Sequence, residues 1–413
     1  MRCARAGFCP HCIARFRSFP FKPNYRLADE RMDTCIGGGN MAWTGRELRS
    51  TINEDGTLVL SLEQVELTEP GDDEVIVRIE ATPLNPSDIG LLLGPADLSR
   101  IVSDAPGARI AFAVPPTRLA AVAGRLGVSL PVGNEGAGLV VAAGRNAAAL
   151  EGKRVGMSGG AMYADYRRIG MHDVMLLPPG ANAADGASMF INPLTALGFV
   201  DTARREGHKA IVHAPAASNL GQMLQRICLA DGIALVNIVR SEEQAALLRG
   251  IGATHVLNSK DEDFAARLTD AVAQTGATIA FDAIGGGKLG SDILLAMERA
   301  AARRPGAYSR YGTAVFKQLY IYGSLDPAPI LLDRAPLGYA WSVSAWLLFH
   351  YLSKIGPDAA QRLRQRVADE LTTTFASHYT RTIGLAEVLR PEVLRAVERK
   401  ATGEKFLIDP RQG

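Results

Sequence analysis

A turn of small residues between two apolar runs gives the chain a place where a phosphate could bind. Residues 210–213 and 233–239 are short apolar runs, and apolar residues recur at helical spacing between them. The pattern predicts a strand, a turn, a helix and a second, parallel strand. A helix that begins at such a turn offers free N–H groups to a phosphate. A dinucleotide fingerprint would have three glycines and this turn keeps only Gly221, so the turn alone fits a structural crossover equally well.

The end of the second strand carries information about the ligand. An acidic residue that would bind a ribose 2′-hydroxyl is expected there, about 20 residues after the turn, and it is absent. Asn237 and Arg240 occupy this region instead. A guanidinium suits a 2′-phosphate, which favours NADP(H) as the cofactor. A solvated arginine that opens the next helix is the alternative interpretation.

Composition excludes several classes of partner. The chain has 413 residues, of which 47% are hydrophobic and 21% charged, which is typical of a globular protein with room for two domains. Residues 41–413 contain 38 basic and 40 acidic side chains, so nothing favours a nucleic-acid partner. No apolar run approaches the roughly 20 residues of a membrane span, so we expect no membrane partner.

Residues 1–40 differ from the rest of the chain. They hold seven of the basic residues, three acidic ones and four of the five cysteines. Cys9 and Cys12 have the spacing of a zinc knuckle but no matching second pair, so we interpret 1–40 as a disordered leader or start-site extension. Cys228 is the one cysteine in the remainder, which indicates a reducing compartment and predicts a cytoplasmic location.

The elements that would position this chemistry change in type along the chain. Residues 57–81 read as short strands, and 95–130 as a long loop with a short helix near 117–126. After residue 180, helices and strands alternate, which predicts a doubly wound parallel sheet and an α/β fold class. The tail is expected to be mixed, with a helix near 385–400 and a closing strand at 405–409.

Several ordered motifs together resemble the medium-chain dehydrogenase/reductase superfamily over residues 45–410. The motifs are Asn85-Pro86-Ser87-Asp88, the GNEGAG run at 133–138, Asn192-Pro193-Leu194-Thr195-Ala196, the turn ending at Gly221, Gly252-Ala253-Thr254-His255, Phe281-Asp282-Ala283-Ile284-Gly285-Gly286 and Thr402-Gly403-Glu404-Lys405. The resemblance implies a GroES-like β domain with an inserted Rossmann domain. We expect the catalytic domain at 41–180 and 351–413, and the nucleotide-binding domain at 181–350.

The resemblance points to a zinc-free branch of this superfamily. Asn134 stands where zinc alcohol dehydrogenases have a histidine ligand, and residues 41–227 contain no cysteine, so we expect no metal site. The motifs are similar to those of quinone oxidoreductases and 2-enoyl thioester reductases, which transfer hydride from NADPH to a quinone or an activated double bond. This implies a small-molecule substrate and, by analogy, a homodimer.

The resemblance also assigns candidate site residues. It implies that Asn85 lies near the nicotinamide and substrate, although a structural role in closing the turn fits an Asn-Pro pair as well. The implied cofactor-binding residues are Asn192, Thr195, Ser218, Asn219, Leu220, Gly221, Arg240, Ser259, Ile284, Gly285, Tyr322 and Gly323, with Lys260 as a further candidate. For Asn192, an ordinary helix cap before Pro193 is the alternative.

The proton donor is the weakest part of the pattern. Enoyl thioester reductases place a tyrosine shortly after the NPSD motif, whereas residues 90–95 contain none. Tyr163, Tyr308 and Tyr311 are possible substitutes, and Tyr163 is our catalytic candidate, although packing is the usual role of a tyrosine. A second hypothesis is therefore an NADP(H)-binding protein with a regulatory or interaction role and little catalysis. Aromatic residues in 339–351 could line a substrate, a dimer contact or a plain core.

Overall fold

A computed structural model of the chain describes residues 42–304, 309–399 and 404–412. Within these ranges the strands are β1 (Trp43–Ile52), β2 (Thr57–Leu67), β3 (Glu74–Pro83), β4 (Asp97–Ala105), β5 (Arg109–Ala113), β6 (Leu130–Pro131), β7 (Glu135–Ala143), β8 (Arg154–Ser158), β9 (Tyr166–Gly170), β10 (Val174–Leu176), β11 (Ala210–Ala214), β12 (Ala234–Val239), β13 (His255–Asn258), β14 (Ile279–Asp282), β15 (Lys317–Ile321), β16 (Trp341–Ala345), β17 (Arg381–Ile383) and β18 (Phe406–Ile408).

The helices in the same ranges include several of a single turn. They are α1 (Ile89–Leu92), α2 (Pro116–Leu119), α3 (Ala183–Gly186), α4 (Ile191–Arg205), α5 (Asn219–Asp231), α6 (Glu242–Gly250), α7 (Phe264–Thr275), α8 (Leu289–Ala302), α9 (Leu348–Ile355), α10 (Pro357–Asp369) and α11 (Pro391–Glu398). The longer ones alternate with the strands of the central part of the chain. That alternation is what allows neighbouring strands to run parallel.

The central sheet has six parallel strands in the order β13-β12-β11-β14-β15-β16. Its inner strands are apolar on both faces because helices cover both sides. On one face, α4 and α5 pack with Ile211 and Phe281, and on the other face α7 and α8 pack with Val212 and Ala280. The order reverses between β11 and β14, and a sheet of this kind binds ligands at the carboxyl ends of its strands beside such a reversal.

Two further sheets surround this central part in sequence, and their strands pair antiparallel except for β17 and β18, which are parallel. One sheet has the order β4-β5-β2-β1-β6, and the other β10-β8-β7-β3-β18-β17 with β9 also paired to β3. The last strand of the chain, β18, pairs with β3 through Leu407 and Pro83. The C-terminal tail therefore returns to the N-terminal β domain.

The segment 95–130 contradicts the expectation of a long loop in its first half and confirms the short helix predicted near 117–126. It folds as the β4–β5 hairpin, which extends the first sheet through pairing of β5 with β2, followed by α2 and a 3₁₀ turn. Seven consecutive residues of β4, 99–105, are exposed. Alternation of polar and apolar residues marks a strand only when one of its faces is buried, so an exposed strand such as β4 leaves no periodic signal.

Residues 41–413 form one compact unit, so the structure provides no boundaries within them with which to compare the predicted domain limits. The limits 41–180, 181–350 and 351–413 stay predictions. Leu348, Val367 and Phe375, from α9, α10 and the segment after them, share one core with α4 and α5. Packing thus associates Val367 and Phe375, which lie beyond the limit placed at residue 350, with the parallel sheet. Residues 1–40, with the Cys9 and Cys12 pair, lie outside the described residues.

Candidate dinucleotide and active site

The turn between β11 and α5 brings the N-terminus of α5 very close to the backbone carbonyl of Ala216. Ser218 caps α5: its Oγ accepts from the Gly221 N–H at 3.1 Å and donates to the Pro215 carbonyl at 2.9 Å. A Cβ on Gly221 would lie 2.1 Å from the Ala216 carbonyl oxygen. Only glycine permits this approach, which is the purpose of a glycine in a dinucleotide fingerprint. The other two glycine positions of the fingerprint are filled by small residues.

Arg240 and Ser259 lie at the same edge of the sheet, beyond the carboxyl ends of β12 and β13. The Ser259 N–H donates to the Val239 carbonyl at 2.8 Å, and Arg240 is exposed. Asn237 is different, because it is fully buried and its Nδ2 donates to Gln225 Oε1 at 2.8 Å. The residue type at position 237 is therefore explained by packing, and Arg240 alone of that pair faces solvent.

The loops after β14 and β15 meet where the nicotinamide end is expected. The Asp282 carboxylate accepts from the N–H groups of Ile284 at 2.7 Å and Gly285 at 3.4 Å, and burial raises the pKa of Asp282 to about 6. Gly285 has φ +79°, and a Cβ on it would lie 2.7 Å from the Gly323 carbonyl oxygen. The structure thus brings Ile284, Gly285 and Gly323 together.

Tyr322 belongs to the same cluster, but its hydroxyl points into the protein. It makes a 2.8 Å hydrogen bond with Nε2 of His213, and its ring packs edge-on against Phe199 at 4.8 Å. His213 is fully buried, which lowers the pKa of its imidazole to about 3 and keeps it neutral. Only the ring of Tyr322, not its hydroxyl, remains as a surface for a ligand.

The NPSD motif forms a closed turn after β3. The Asp88 carboxylate accepts from the backbone N–H groups of Asn85 at 2.8 Å and Asn134 at 3.0 Å, and from the Tyr163 hydroxyl at 2.9 Å. Burial raises the pKa of Asp88 to about 7 despite these donors. The side chain that closes the turn is thus Asp88, which leaves the Asn85 amide for another role.

Tyr163 is placed in the core of the β domain. It is 0% exposed, and its hydroxyl donates to Asp88 and also lies 3.2 Å from the Pro83 carbonyl. Burial and the nearby carboxylate raise the pKa of Tyr163 well above its ordinary value. Its role as proton donor stays a prediction, and this geometry gives it no support. Tyr311 is exposed and accepts from Arg310, while Tyr308 lies outside the described residues.

Glu135, in the GNEGAG run, connects the turn to helix α4. Its Oε1 accepts from Asn85 Nδ2 at 2.7 Å, and its Oε2 accepts from the N–H groups of Phe190 at 3.0 Å and Ile191 at 2.8 Å. Phe190 is the capping residue of α4, so the alternative interpretation of Asn192 as a helix cap is wrong. Asn192 is half-buried and Thr195 is buried in the first turns of this helix.

A lysine, a serine and a tyrosine beside this network were not identified as site residues from the sequence. Lys405 Nζ donates to Ser188 Oγ at 2.8 Å and lies 4.9 Å from the Tyr379 ring, and burial lowers the pKa of Lys405 to about 8. The Ser188 and Tyr379 hydroxyls are 2.7 Å apart. The sequence signals for this cluster are the GNEGAG and TGEK motifs, which contain Glu135 and Lys405.

Comparison with known proteins gives matches to dehydrogenases and reductases. A family model described as zinc-binding dehydrogenase matches residues 220–303. A structure described as an NADPH:quinone reductase from Mesorhizobium loti is 25% identical, covers 89% of this chain and 98% of its own, and superposes with a TM-score of 0.65. Quinone oxidoreductase from Escherichia coli, complexed with NADPH, is 18% identical with a TM-score of 0.63 and covers 89% of this chain and 100% of its own.

Curated sequences give a similar result over a shorter range. The mitochondrial enoyl-[acyl-carrier-protein] reductase of Xenopus tropicalis is 29% identical over 212 residues, which is 49% of this chain and 53% of that protein. The chain thus spans about half the length of the curated relatives it matches. With the two structures, these matches confirm the predicted fold class, a GroES-like β domain with an inserted Rossmann domain.

Two kinds of feature are absent from the described part of the chain. No helix within 42–304, 309–399 and 404–412 is long and apolar enough to cross a membrane. The same residues contain no group of three or more His, Cys, Asp or Glu side chains arranged to hold a metal ion.

Proposed function

We propose that the chain is an NADP(H)-dependent, zinc-independent oxidoreductase of the medium-chain dehydrogenase/reductase superfamily that acts on a quinone or an α,β-unsaturated carbonyl. The observation that carries this proposal is the turn at Gly221, where α5 approaches the backbone so closely that no side chain fits. Such an approach leaves the helix N-terminus open to a diphosphate.

The residues at the edge of the parallel sheet fit a dinucleotide in extended form. Ser218, Asn219, Leu220 and Gly221 would hold the diphosphate, and Arg240 with Ser259 would contact the 2′-phosphate. Ile284, Gly285, Gly323 and the ring of Tyr322 would line the nicotinamide side, with Asn192 and Thr195 on α4. When bound, NADPH supplies the hydride, and a proton from solvent or a side chain completes reduction of a quinone to a hydroquinone or of a C=C bond to a saturated carbonyl.

Zinc independence rests on ligand chemistry. At the position of the zinc-binding histidine, Asn134 donates its N–H to Asp88 and its Nδ2 to Ser87 Oγ at 3.2 Å. A side-chain amide engaged in this way is a poor ligand for zinc, which prefers thiolate and imidazole. We therefore assign hydride acceptance to a substrate activated by hydrogen bonds rather than by a metal ion.

The burial of Tyr163 favours a second candidate function. With its hydroxyl bonded to Asp88, Tyr163 has no access to a substrate, and residues 90–95 offer no tyrosine. A protein that binds NADP(H) without efficient turnover would lack an accessible tyrosine in this way, and its role would be regulation or interaction. The two functions differ in catalysis and share the cofactor.

The test combines binding and turnover on the same preparation. Purified protein is titrated with NADPH and with NADH, followed by fluorescence, and then incubated with NADPH and a panel of quinones, enones and enoyl thioesters. The proposal requires that the protein bind NADPH more tightly than NADH. It also requires that at least one panel member oxidise NADPH after the protein has been dialysed against a chelator. Tight binding without turnover would support the second candidate. Failure to bind either cofactor would contradict both.

We also propose a homodimer. Strand β16 is at the edge of the parallel sheet, and large apolar side chains near its two ends are exposed, namely Tyr339, Leu347 and Phe349. A second copy that pairs with this edge would cover them. Analytical ultracentrifugation should give twice the mass of the chain, and a monomer at micromolar concentration would contradict this proposal. The cytoplasmic location stays a prediction.

A further inference from the structure

Glu135 uses both of its carboxylate oxygens as acceptors inside the protein. Oε2 receives the N–H groups of Phe190 and Ile191 at the start of α4, and Oε1 receives Nδ2 of Asn85. Glu135 is 1% exposed and Asn85 is 2% exposed. The two backbone donors cannot rotate away, so they fix the carboxylate in one orientation.

This arrangement determines which end of the Asn85 amide faces outward. Burial raises the pKa of Glu135, but the two backbone N–H donors and the Lys405 ammonium favour its ionised form. An ionised carboxylate has no proton to donate, so Asn85 turns its NH₂ group toward Glu135 and its Oδ1 away from it. Oδ1 of Asn85 is buried and has no hydrogen-bond partner among the described residues. A buried acceptor without a donor is unfavourable, and most such atoms in folded proteins have a partner.

We propose that Glu135 is a positioning residue that fixes the polarity of Asn85, so that Asn85 Oδ1 accepts a hydrogen bond from the nicotinamide half of the bound dinucleotide. This inference rests on the proposed function. Two groups in that half are donors of the required kind: the carboxamide N–H and the ribose hydroxyls. Asn85 would recognise a donor in either case, and Glu135 would touch neither the cofactor nor the substrate.

The substitution Glu135→Gln tests the polarity without changing the shape of the side chain. The introduced glutamine must keep its oxygen toward the two N–H groups of α4, which places its NH₂ group opposite Asn85. The Asn85 amide would then either flip and present its NH₂ group to the donor on the dinucleotide, or stay in place with its NH₂ group facing the NH₂ group of the introduced glutamine. In both cases the ligand donor loses its acceptor, and affinity for NADP⁺ should fall about tenfold or more.

A double-mutant cycle separates positioning from a structural role at α4. Dissociation constants for NADP⁺ are measured by calorimetry for the unsubstituted chain, E135Q, N85A and the double variant. If Glu135 acts through Asn85, E135Q weakens binding strongly when Asn85 is present and less than about twofold in the N85A background. Equal weakening in both backgrounds, or none in the first, overturns the inference. An unsubstituted chain that binds no NADP⁺ overturns the proposed function as well.

An analogue identifies the donor. The 3-acetylpyridine analogue of NADP⁺ lacks the carboxamide N–H and keeps the ribose. If E135Q leaves its affinity unchanged, the carboxamide is the donor, and if affinity falls as for NADP⁺, a ribose hydroxyl is. The matched control is Glu298→Gln, another buried carboxylate, whose partners Lys317 and Thr313 lie away from the carboxyl ends of the strands. This variant should lower the melting temperature and leave the affinities for NADP⁺ and the analogue unchanged.

Discussion

Replacing Gly221 with alanine should distort the turn at the start of α5 more than a methyl group added at any other position of that turn. The new Cβ would lie 2.1 Å from the Ala216 carbonyl oxygen and 2.6 Å from the carbonyl carbon, whereas ordinary contacts begin near 3.4 Å. Both neighbours are backbone atoms, so no side-chain rotation relieves the contact. The helix and the turn must move apart.

The size of the effect follows from the type of clash. Overpacking of a well-packed site costs about 1–3 kcal/mol, and a clash with fixed backbone belongs at the upper end of that range. We expect Gly221→Ala to lower the free energy of unfolding by about 3 kcal/mol. Because the same movement displaces the N–H groups that would face the diphosphate, the dissociation constant for NADPH should rise about tenfold or more.

The assay is urea unfolding followed by NADPH titration under conditions where the variant remains folded. Gly250→Ala is a matched control, since Gly250 is also helical and a Cβ there would have nothing within 4 Å. This control should be neutral or stabilising by up to about 1 kcal/mol, because alanine loses less backbone entropy than glycine. Unchanged stability and NADPH affinity in Gly221→Ala would refute the reasoning from close approach.

Three further predictions concern single side chains. Arg240→Ala should raise the KM for NADPH about tenfold and that for NADH less than about twofold, and steady-state kinetics showing equal changes would contradict a 2′-phosphate contact. Tyr163→Phe should cost about 1 kcal/mol in urea unfolding and leave kcat within about twofold, because the Tyr163 hydroxyl binds Asp88; a fall in kcat of about 100-fold would instead identify Tyr163 as the proton donor. Burial lowers the pKa of His213 from its ordinary value of 6.5 to about 3, so between these pH values the unfolded chain binds the proton and the folded chain does not. The free energy of unfolding should therefore decrease as the pH is lowered. His213→Gln should remove about 1.5 kcal/mol of the decrease between about pH 6.5 and 5. Urea unfolding of both proteins at the two pH values measures this difference.

The parallel sheet could be predicted from sequence because its strands are buried on both faces. Runs such as 210–213 and 233–239 are almost wholly apolar, and they match β11 and β12 within one residue at each end. Local composition was sufficient to predict these strands because burial on both faces requires apolar residues at nearly every position.

The β4–β5 hairpin and the inner positions of the site could not be predicted in this way. Strand β4 is almost entirely exposed, so it has no periodic pattern to detect. Asn237 and Tyr163 were candidates for a ligand or a reaction because of their place in the sequence pattern. In the structure, Gln225 on the preceding helix holds Asn237 inside, and Asp88, 75 residues away in sequence, holds Tyr163. Whether a polar side chain faces a ligand or a neighbour depends on tertiary contacts that sequence spacing does not contain.

The NPSD and GNEGAG motifs illustrate how two such contacts build one site. Each motif supplies a buried carboxylate, Asp88 and Glu135, and the carboxylates hold opposite ends of Asn85: Asp88 its backbone N–H and Glu135 its side-chain NH₂. The same Glu135 receives the first N–H groups of α4, so the β domain and the parallel-sheet domain share one hydrogen-bonded centre. A change of relative domain position would have to break these bonds or move Asn85 with them. One carboxylate therefore holds both the Asn85 side-chain amide and the start of α4, and this is the arrangement that the E135Q and N85A cycle tests.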